Sequence, residues 1–231
     1  MTDSAPPRDV LVTGASGYVG RPLVEALVRR RHRVRALCRP ASRSRVPAGA
    51  EPVEGDAMSA TSIAAAAVHD GTLVHLVGTP HPNPSKAAEF ENVDLASIRA
   101  SVAAARAAGI AHLVYVSVAH PAPVMRAYVD ARSRGEDAIA ASGLTATIVR
   151  PWYVLGPGHR WPIVLVPVLK VLEWLPATRE SALRLGFVTL PEMVAALVQA
   201  VEHPPAPAER RIVEVPAIRA AGKAATLRDP A

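Results

Sequence analysis

The stretch Val10–Pro22, VLVTGASGYVGRP, constrains the fold more than any other part of the chain. An apolar run suited to a buried strand enters a turn holding Gly14, Gly17 and Gly20, and a helical pattern begins at once. Within Tyr18–Arg31, Val19, Leu23 and Leu27 recur at four-residue spacing and form one apolar stripe. A strand, a glycine turn and an amphipathic helix in such close succession predict the opening βα unit of an α/β chain.

The following residues repeat the alternation. Val10–Thr13, Arg33–Cys38, Glu51–Glu54, Leu73–Val77, His112–Ser117 and Thr145–Arg150 are short, mostly apolar runs of the kind found in buried parallel strands. Ser59–Val68, Ser85–Ala108 and Met125–Ser142 are alanine-rich and long enough for helices. Gly109 and Gly143 stand between a helix and a strand, where a left-handed helix stop is needed. These features predict a Rossmann-type α/β fold, a doubly wound parallel sheet, over residues 8–150.

After Pro151 the rhythm changes. WYVLGPGHRWP is loop-like, and Ile163–Leu175 is an apolar helix candidate. Thr189-Leu190-Pro191-Glu192 fits a capping box with proline in the first turn, opening a helix that runs to about His203. Arg211–Val215 reads as one more strand. Residues 151–216 are expected to form a small substrate-side lobe completing the same domain, and 217–231 a flexible tail.

A length of 231 residues suffices for one domain with a large core. The single cysteine, Cys38, excludes an internal disulfide and a cysteine-rich metal site. Residues 1–9 hold no apolar segment of the secretory kind. Ile163–Leu175 is too short, and too interrupted by Pro167, Lys170 and Glu173, to span a membrane. It offers instead an apolar face to a protein partner or a membrane surface, and the expected location is the cytoplasm. The net charge of +6 is concentrated, with eight arginines in Arg29–Arg45. A local basic cluster beside a glycine turn points to a phosphate-bearing small molecule and away from nucleic acid. An aromatic content of 4% leaves no stacking platform for single strands. No metal-ligand spacing stands out on a shared helix face.

The three glycines have distinct expected uses. Gly14 turns the chain tightly off the strand, Gly17 leaves room for a pyrophosphate against the backbone, and Gly20 lets the helix pack on the sheet. The helix start adds free N–H groups and a positive dipole end. The spacing is Gly-x-x-Gly-x-x-Gly after Thr13, not Gly-x-Gly-x-x-Gly.

TGASGYVG resembles the cofactor loop of the short-chain dehydrogenase/reductase superfamily, in its extended and atypical branches (NmrA-like and epimerase/dehydratase-like). GDAMS at Gly55–Ser59 resembles the segment after the third strand, and VHLVG at Val74–Gly78 the fourth strand along the cofactor. ENVDLASIRASVAAARAAGIAHLVYVS is similar to the long helix and fifth strand, and ASGLTATIVRPWYVLGPG to the Arg-Pro turn of extended members. The likeness covers about residues 8–203. It implies an NAD(P) site built from Gly14, Ser16, Gly17, Tyr18 and Val19, with Asp56 and Ala57 at the adenine, Val77 and Gly78 along the cofactor, and Pro151 in the later turn.

An NAD-preferring site places an acid near the end of the second strand, whereas a 2′-phosphate calls for arginine. No Asp or Glu occurs from Ala26 through Ala50. Arg39 directly follows that strand and is the candidate for the phosphate, with Arg43 or Arg45 assisting. NADP is therefore expected over NAD.

The resemblance also implies where catalysis would lie. Ser117 stands where the family has its serine after the fifth strand. Tyr128 and Arg132 occupy its Tyr-x-x-x-Lys positions, with arginine for lysine, and Glu136 follows four residues later. Arginine keeps the positive charge and the hydrogen-bond donors but closes a proton relay, since it does not deprotonate near neutral pH. His81 and His120 fall in loops on the ligand side of such a sheet and read as ordinary loop residues. Trp152, Tyr153, Trp161 and Trp174 fall in the C-terminal lobe, as pocket lining or core. Two classes of function stay open: an NADP-dependent oxidoreductase acting on a small carbonyl or hydroxyl substrate, and a non-catalytic NADP(H)-binding sensor or accessory subunit.

Overall fold

A computed structural model describes residues 5–122, 124–158 and 179–228. The segment Ile163–Leu175 lies outside the described residues. The chain runs β1 (Asp9–Thr13), α1 (Gly20–Arg29), β2 (Arg33–Cys38), β3 (Glu51–Glu54), α2 (Ala60–Ala66), β4 (Thr72–His75), α3 (Ala87–Glu89), α4 (Ala96–Ala107), β5 (His112–Val116), α5 (Arg126–Ser142) and β6 (Ala146–Arg150). The C-terminal part adds β7 (Tyr153–Leu155), α6 (Arg179–Arg184), β8 (Phe187–Thr189), α7 (Leu190–Glu202), β9 (Arg210–Glu214) and α8 (Val215–Arg228). Seven strands form one sheet in the order β3-β2-β1-β4-β5-β6-β9, and every pairing is parallel. This is the expected doubly wound α/β architecture.

Alternation along the strands sorts the core into two layers. Val10 and Val12 of β1 join Leu23 and Leu27 of α1 and Met193, Leu197 and Val201 of α7. Leu11 faces the other way, toward Ile63, Leu73, Phe90, Ile98, Leu113, Tyr115 and Ile139. Each fully buried Leu or Ile contributes roughly 1.5–3 kcal/mol relative to exposure, and the sheet is stabilised from both sides.

The expected tail from 217 is corrected by the structure: residues through Arg228 continue as α8. Val215 and Ile218 are fully buried and join the α1/α7 core layer, and Arg219 Nε donates to the Phe187 carbonyl at 2.9 Å. The long helix expected over Ser85–Ala108 is a composite. It opens with a 3₁₀ turn at Pro84–Lys86, passes through α3 and a π-helical stretch at Phe90–Leu95, and becomes α4. The loop-like stretch after Pro151 contains β7, which pairs with β8 in a separate two-stranded sheet. The capping box is present: Thr189 Oγ1 accepts from the Glu192 amide at 3.3 Å, and Glu192 Oε2 accepts from the Thr189 amide at 2.7 Å.

Candidate dinucleotide and catalytic site

The glycine turn lies where the sheet reverses its winding, between β1 and β4. Gly14 has φ +77°, and a Cβ there would press on the backbone carbonyl of Leu76 just past β4. The Leu76 amide donates to Thr13 O at 3.1 Å, which holds the ends of the two strands together, and the Gly17 amide donates to Gly14 O at 3.0 Å. A Cβ on Gly20 would collide with Gly14 O and Ala15. The tight contact at Gly20 is thus between the helix and its own turn, not between helix and sheet as the sequence suggested. Gly17 is exposed, and a Cβ there would find only Gly14 O nearby. α1 begins without a side-chain cap and without an acid in its first turn. An open glycine cradle at an uncapped helix start fits a pyrophosphate.

Ser16, Tyr18 and Val19 are half-buried around this turn. The Tyr18 phenol lies against Gly156, where a Cβ would collide with its hydroxyl, so this residue also ties the turn to the chain after β7. Arg39 is exposed directly after β2, and its guanidinium has no hydrogen bond or ion pair among the described residues. Arg43 pairs with Glu54 at 3.3 Å, and Arg45 donates to Ser42 Oγ at 2.8 Å. Asp56 Oδ1 accepts from the Met58 amide at 2.9 Å, and Ala57 between them is half-buried. Pro151 is buried, and its carbonyl accepts from the Ala119 amide at 2.9 Å, which continues the β5–β6 pairing toward the loops.

Tyr128, Arg132 and Glu136 share one face of α5, as their four-residue spacing requires. Arg132 is buried, with both terminal nitrogens engaged and its Nε buried without a partner among the described residues. Its Nη1 donates to Val116 O at 2.9 Å, its Nη2 pairs with Asp94 Oδ1 at 2.5 Å, and its guanidinium carbon lies 5.8 Å from the Tyr115 ring centre and 5.3 Å from that of Tyr128. Burial opposes the charge, but Tyr128, Tyr115 and Asp94 outweigh it and push the Arg132 pKa up from its already high value. Gly78, after Val77, has no room for a Cβ because the Arg132 guanidinium occupies that space. Asp94 sits in the π-helical stretch, and its other oxygen accepts from the Thr79 amide at 3.0 Å and from Thr79 Oγ1 at 2.6 Å.

A second network forms around Glu136. Its Oε1 accepts from Ser117 Oγ at 2.5 Å, from His120 Nε2 at 3.2 Å and from Arg150 Nε at 3.0 Å, while Arg150 Nη2 binds Oε2. The Ser117 hydroxyl proton therefore points at a carboxylate, not toward the opening. The Tyr128 ring packs on Phe90 with centres 5.0 Å apart, and its half-buried side chain has no hydrogen bond among the described residues. Beneath the site, His75 is sealed between Thr13 Oγ1 (3.2 Å), Ser101 Oγ (2.9 Å) and Ser97 Oγ (3.3 Å). Burial, helped by Arg132, pushes its pKa down to about 3. Burial pushes the Tyr115 phenol up to about 12. Both stay neutral near pH 7.

Sequence reasoning placed Ser117, Tyr128 and Arg132 near one another but missed Asp94 as the partner of Arg132 and Arg150 as the partner of Glu136. An acid beside Leu95, Ser97 and Ile98 on a helix that packs inward was the available signal for Asp94. His120, set aside as a loop residue, belongs to the Glu136 network. Among the described residues no cluster of His, Cys, Asp or Glu could hold a metal ion, and no helix is long and apolar enough to cross a membrane.

A glycine cradle at the switch point of a doubly wound parallel sheet, with a tyrosine–arginine pair on the helix after β5, defines a nicotinamide-dinucleotide-binding protein of the short-chain dehydrogenase/reductase superfamily. Residues 14–162 match the model of the NAD(P)H-binding family, and the chain belongs to that family. A ceramide reductase of Caulobacter vibrioides is 30% identical over 191 residues, 82% of this chain and 59% of that protein. A 3-diazoavenalumate denitrifying reductase of a Streptomyces species is 33% identical over 223 residues, 84% of this chain and 72% of that protein. Among solved structures, MoeE5 in complex with UDP-glucuronic acid and NAD superposes with a TM-score of 0.68 at 21% identity, covering 90% of this chain and 76% of that chain. An Agrobacterium tumefaciens member of the superfamily with bound NAD gives 0.65 at 19% identity, covering 89% and 77%. At these identities the structures share the fold alone.

Proposed function

We propose that this chain is an NADPH-dependent reductase of a carbonyl group in a small organic substrate, with Tyr128 as the proton donor. The observation that carries this reading is the contrast between Tyr128, whose hydroxyl is bound to no described residue, and Ser117 and Arg132, whose hydroxyl and terminal N–H groups are engaged by Glu136, Asp94 and the Val116 carbonyl. The reductase relatives support the reaction class. A reduced nicotinamide cofactor, with Gly14, Gly17 and Gly78 among the residues that would hold it, would supply the hydride. The chain's own contribution is to hold the cofactor on the glycine cradle and to keep a positive charge beside the Tyr128 ring. The phenol then protonates the oxygen on which negative charge develops. NADPH is favoured over NADH because Arg39 alone of the three arginines after β2 is unpaired, and a planar guanidinium suits a 2′-phosphate.

The experiment is twofold. NADPH and NADH binding is measured by calorimetry, and NADPH oxidation is followed across a panel of aldehydes and ketones. Tyr128→Phe is expected to lower kcat by about 100-fold or more, the scale of a general acid, while NADPH affinity is unchanged. Turnover that survives in Tyr128→Phe removes Tyr128 from the role. A second reading, a dinucleotide-binding sensor or accessory subunit, draws on the same two commitments of Ser117 and Arg132. It is the outcome if NADPH binds tightly and no carbonyl in the panel consumes it.

A further inference from the structure

A carbonyl reductase needs more than a proton donor. A second hydrogen-bond donor on the substrate oxygen orients it and stabilises the charge that grows there, and such a donor is worth about 100- to 1000-fold in rate. Ser117 is in position by sequence, but its only proton is donated to Glu136. Arg132 is held between Asp94 and the Val116 carbonyl, and its one unpartnered donor, Nε, is sealed from solvent. A solvent-accessible donor has to come from another side chain.

His120 stands three residues beyond Ser117 in the loop after β5, the strand next to β4 in the sheet. Its Nε2 is fixed by Glu136 at 3.2 Å. Its side chain is 21% exposed, and among the described residues its Nδ1 has no partner and is not sealed from solvent. We propose that His120 is the second donor to the substrate oxygen, doing through Nδ1 what Ser117 cannot. This rests on the reductase reading above.

The chemistry sets the protonation state. Glu136 is a carboxylate bound by Arg150 and accepts from Nε2, so a neutral His120 carries its proton there and presents a lone pair at Nδ1. Only the imidazolium offers Nδ1–H to a substrate. The charged groups that bear on it are Glu136 from α5 and, behind Glu136, Arg150 from β6, which also approaches Glu214 of β9 at 3.8 Å. The donor role therefore belongs to the imidazolium form of His120.

The test compares His120→Ala, His120→Gln and Ser117→Ala on whichever carbonyl the wild type reduces, across pH, with NADPH affinity measured alongside. His120→Ala is expected to lower kcat by about 100-fold with NADPH affinity intact. His120→Gln, whose amide donates at every pH, is expected to retain more rate than His120→Ala and to lose the histidine limb of the pH profile. Ser117→Ala is expected to cost less than about 10-fold. Unchanged kcat in His120→Ala, or a wild-type pH limb that persists in His120→Gln, overturns the proposal. If Tyr128→Phe abolishes turnover while His120→Ala does not reduce it, this inference falls and the reductase reading stands. If the wild type reduces no carbonyl, both fall.

Discussion

Asp94→Asn is the most incisive perturbation of the site, because it removes the counter-charge of Arg132 at nearly constant size. Asp94 is fully buried and the Arg132 side chain is 6% exposed, so neither charge has water to fall back on. The asparagine keeps a carbonyl oxygen for the Thr79 amide and hydroxyl, while its NH2 group replaces Oδ1 opposite the Arg132 Nη2 donor, so the ion pair and its hydrogen bond are lost together. Breaking a buried pair from one side costs about 3–5 kcal/mol, since the surviving charge is stranded. For a chain of this size about 2–4 °C of Tm accompanies each kcal/mol, so a fall of roughly 6–20 °C is expected. Arg132→Met strands Asp94 and is expected to cost a similar amount. The double variant Asp94→Asn/Arg132→Met leaves no buried charge, and the methionine fills the space between Tyr115 and Tyr128. It is expected to be more stable than the sum of the singles by about 1.5–3 kcal/mol. Urea denaturation of the four proteins at one pH supplies the cycle. Additive losses, or a loss below about 1 kcal/mol in either single variant, would falsify the claim that the pair is buried and mutually dependent.

Two further outcomes follow from the same structure. Arg39→Ala removes the one unpaired guanidinium after β2; the loss of a charge-assisted contact of about 1.5–3 kcal/mol is expected to weaken NADPH binding roughly 10- to 100-fold and leave NADH unchanged, and equal weakening of both assigns Arg39 another role. His75 and His112 are buried neutral, pushed down by burial to about 3 and about 4 from an ordinary 6.5, and burial lowers His32 as well. The unfolded chain takes up the His75 and His112 protons near pH 6.5 and the folded chain only below about pH 4, so stability is full above that upper value and declines as pH falls through the window. Each group contributes a slope of about 1.4 kcal/mol per pH unit inside it. Urea midpoints between about pH 5 and about pH 7.5 read the slope, and His112→Gln is expected to lower it by one group's share; a flat profile would mean these histidines are solvated.

The parts of the fold that were legible are those in which a local feature dictates the structure. The glycine turn is one: Gly14 must take a positive φ, and Gly20 must lack a Cβ for α1 to rise from its own turn. Thr189 and Glu192 satisfy each other's backbone three residues apart, so the start of α7 was legible too. α8 was not, because Val215 and Ile218 supply little apolar signal in an alanine-rich stretch, and its stability comes from α7 and the carbonyl of Phe187. The π-helical stretch was hidden for a related reason. The partners of Asp94 there, Thr79 and Arg132, lie on other elements, and nothing within Phe90–Leu95 announces them.

The candidate site divides along the same line. Spacing alone put Tyr128, Arg132 and Glu136 on one helical face, but spacing cannot say where a proton or a charge is spent. Arg132 carries a permanent charge that burial makes costly, so it needs a fixed counter-charge, and Asp94 supplies one. Glu136 needs one as well and takes Arg150. Its remaining lone pairs then draw in the Ser117 hydroxyl and the His120 imidazole. An arginine at the lysine position thus has its own counter-ion at Asp94, and the serine's proton is spent on Glu136. The Tyr128 hydroxyl and the His120 Nδ1 are left without a partner among the described residues, which is why the proposed chemistry is placed on that pair.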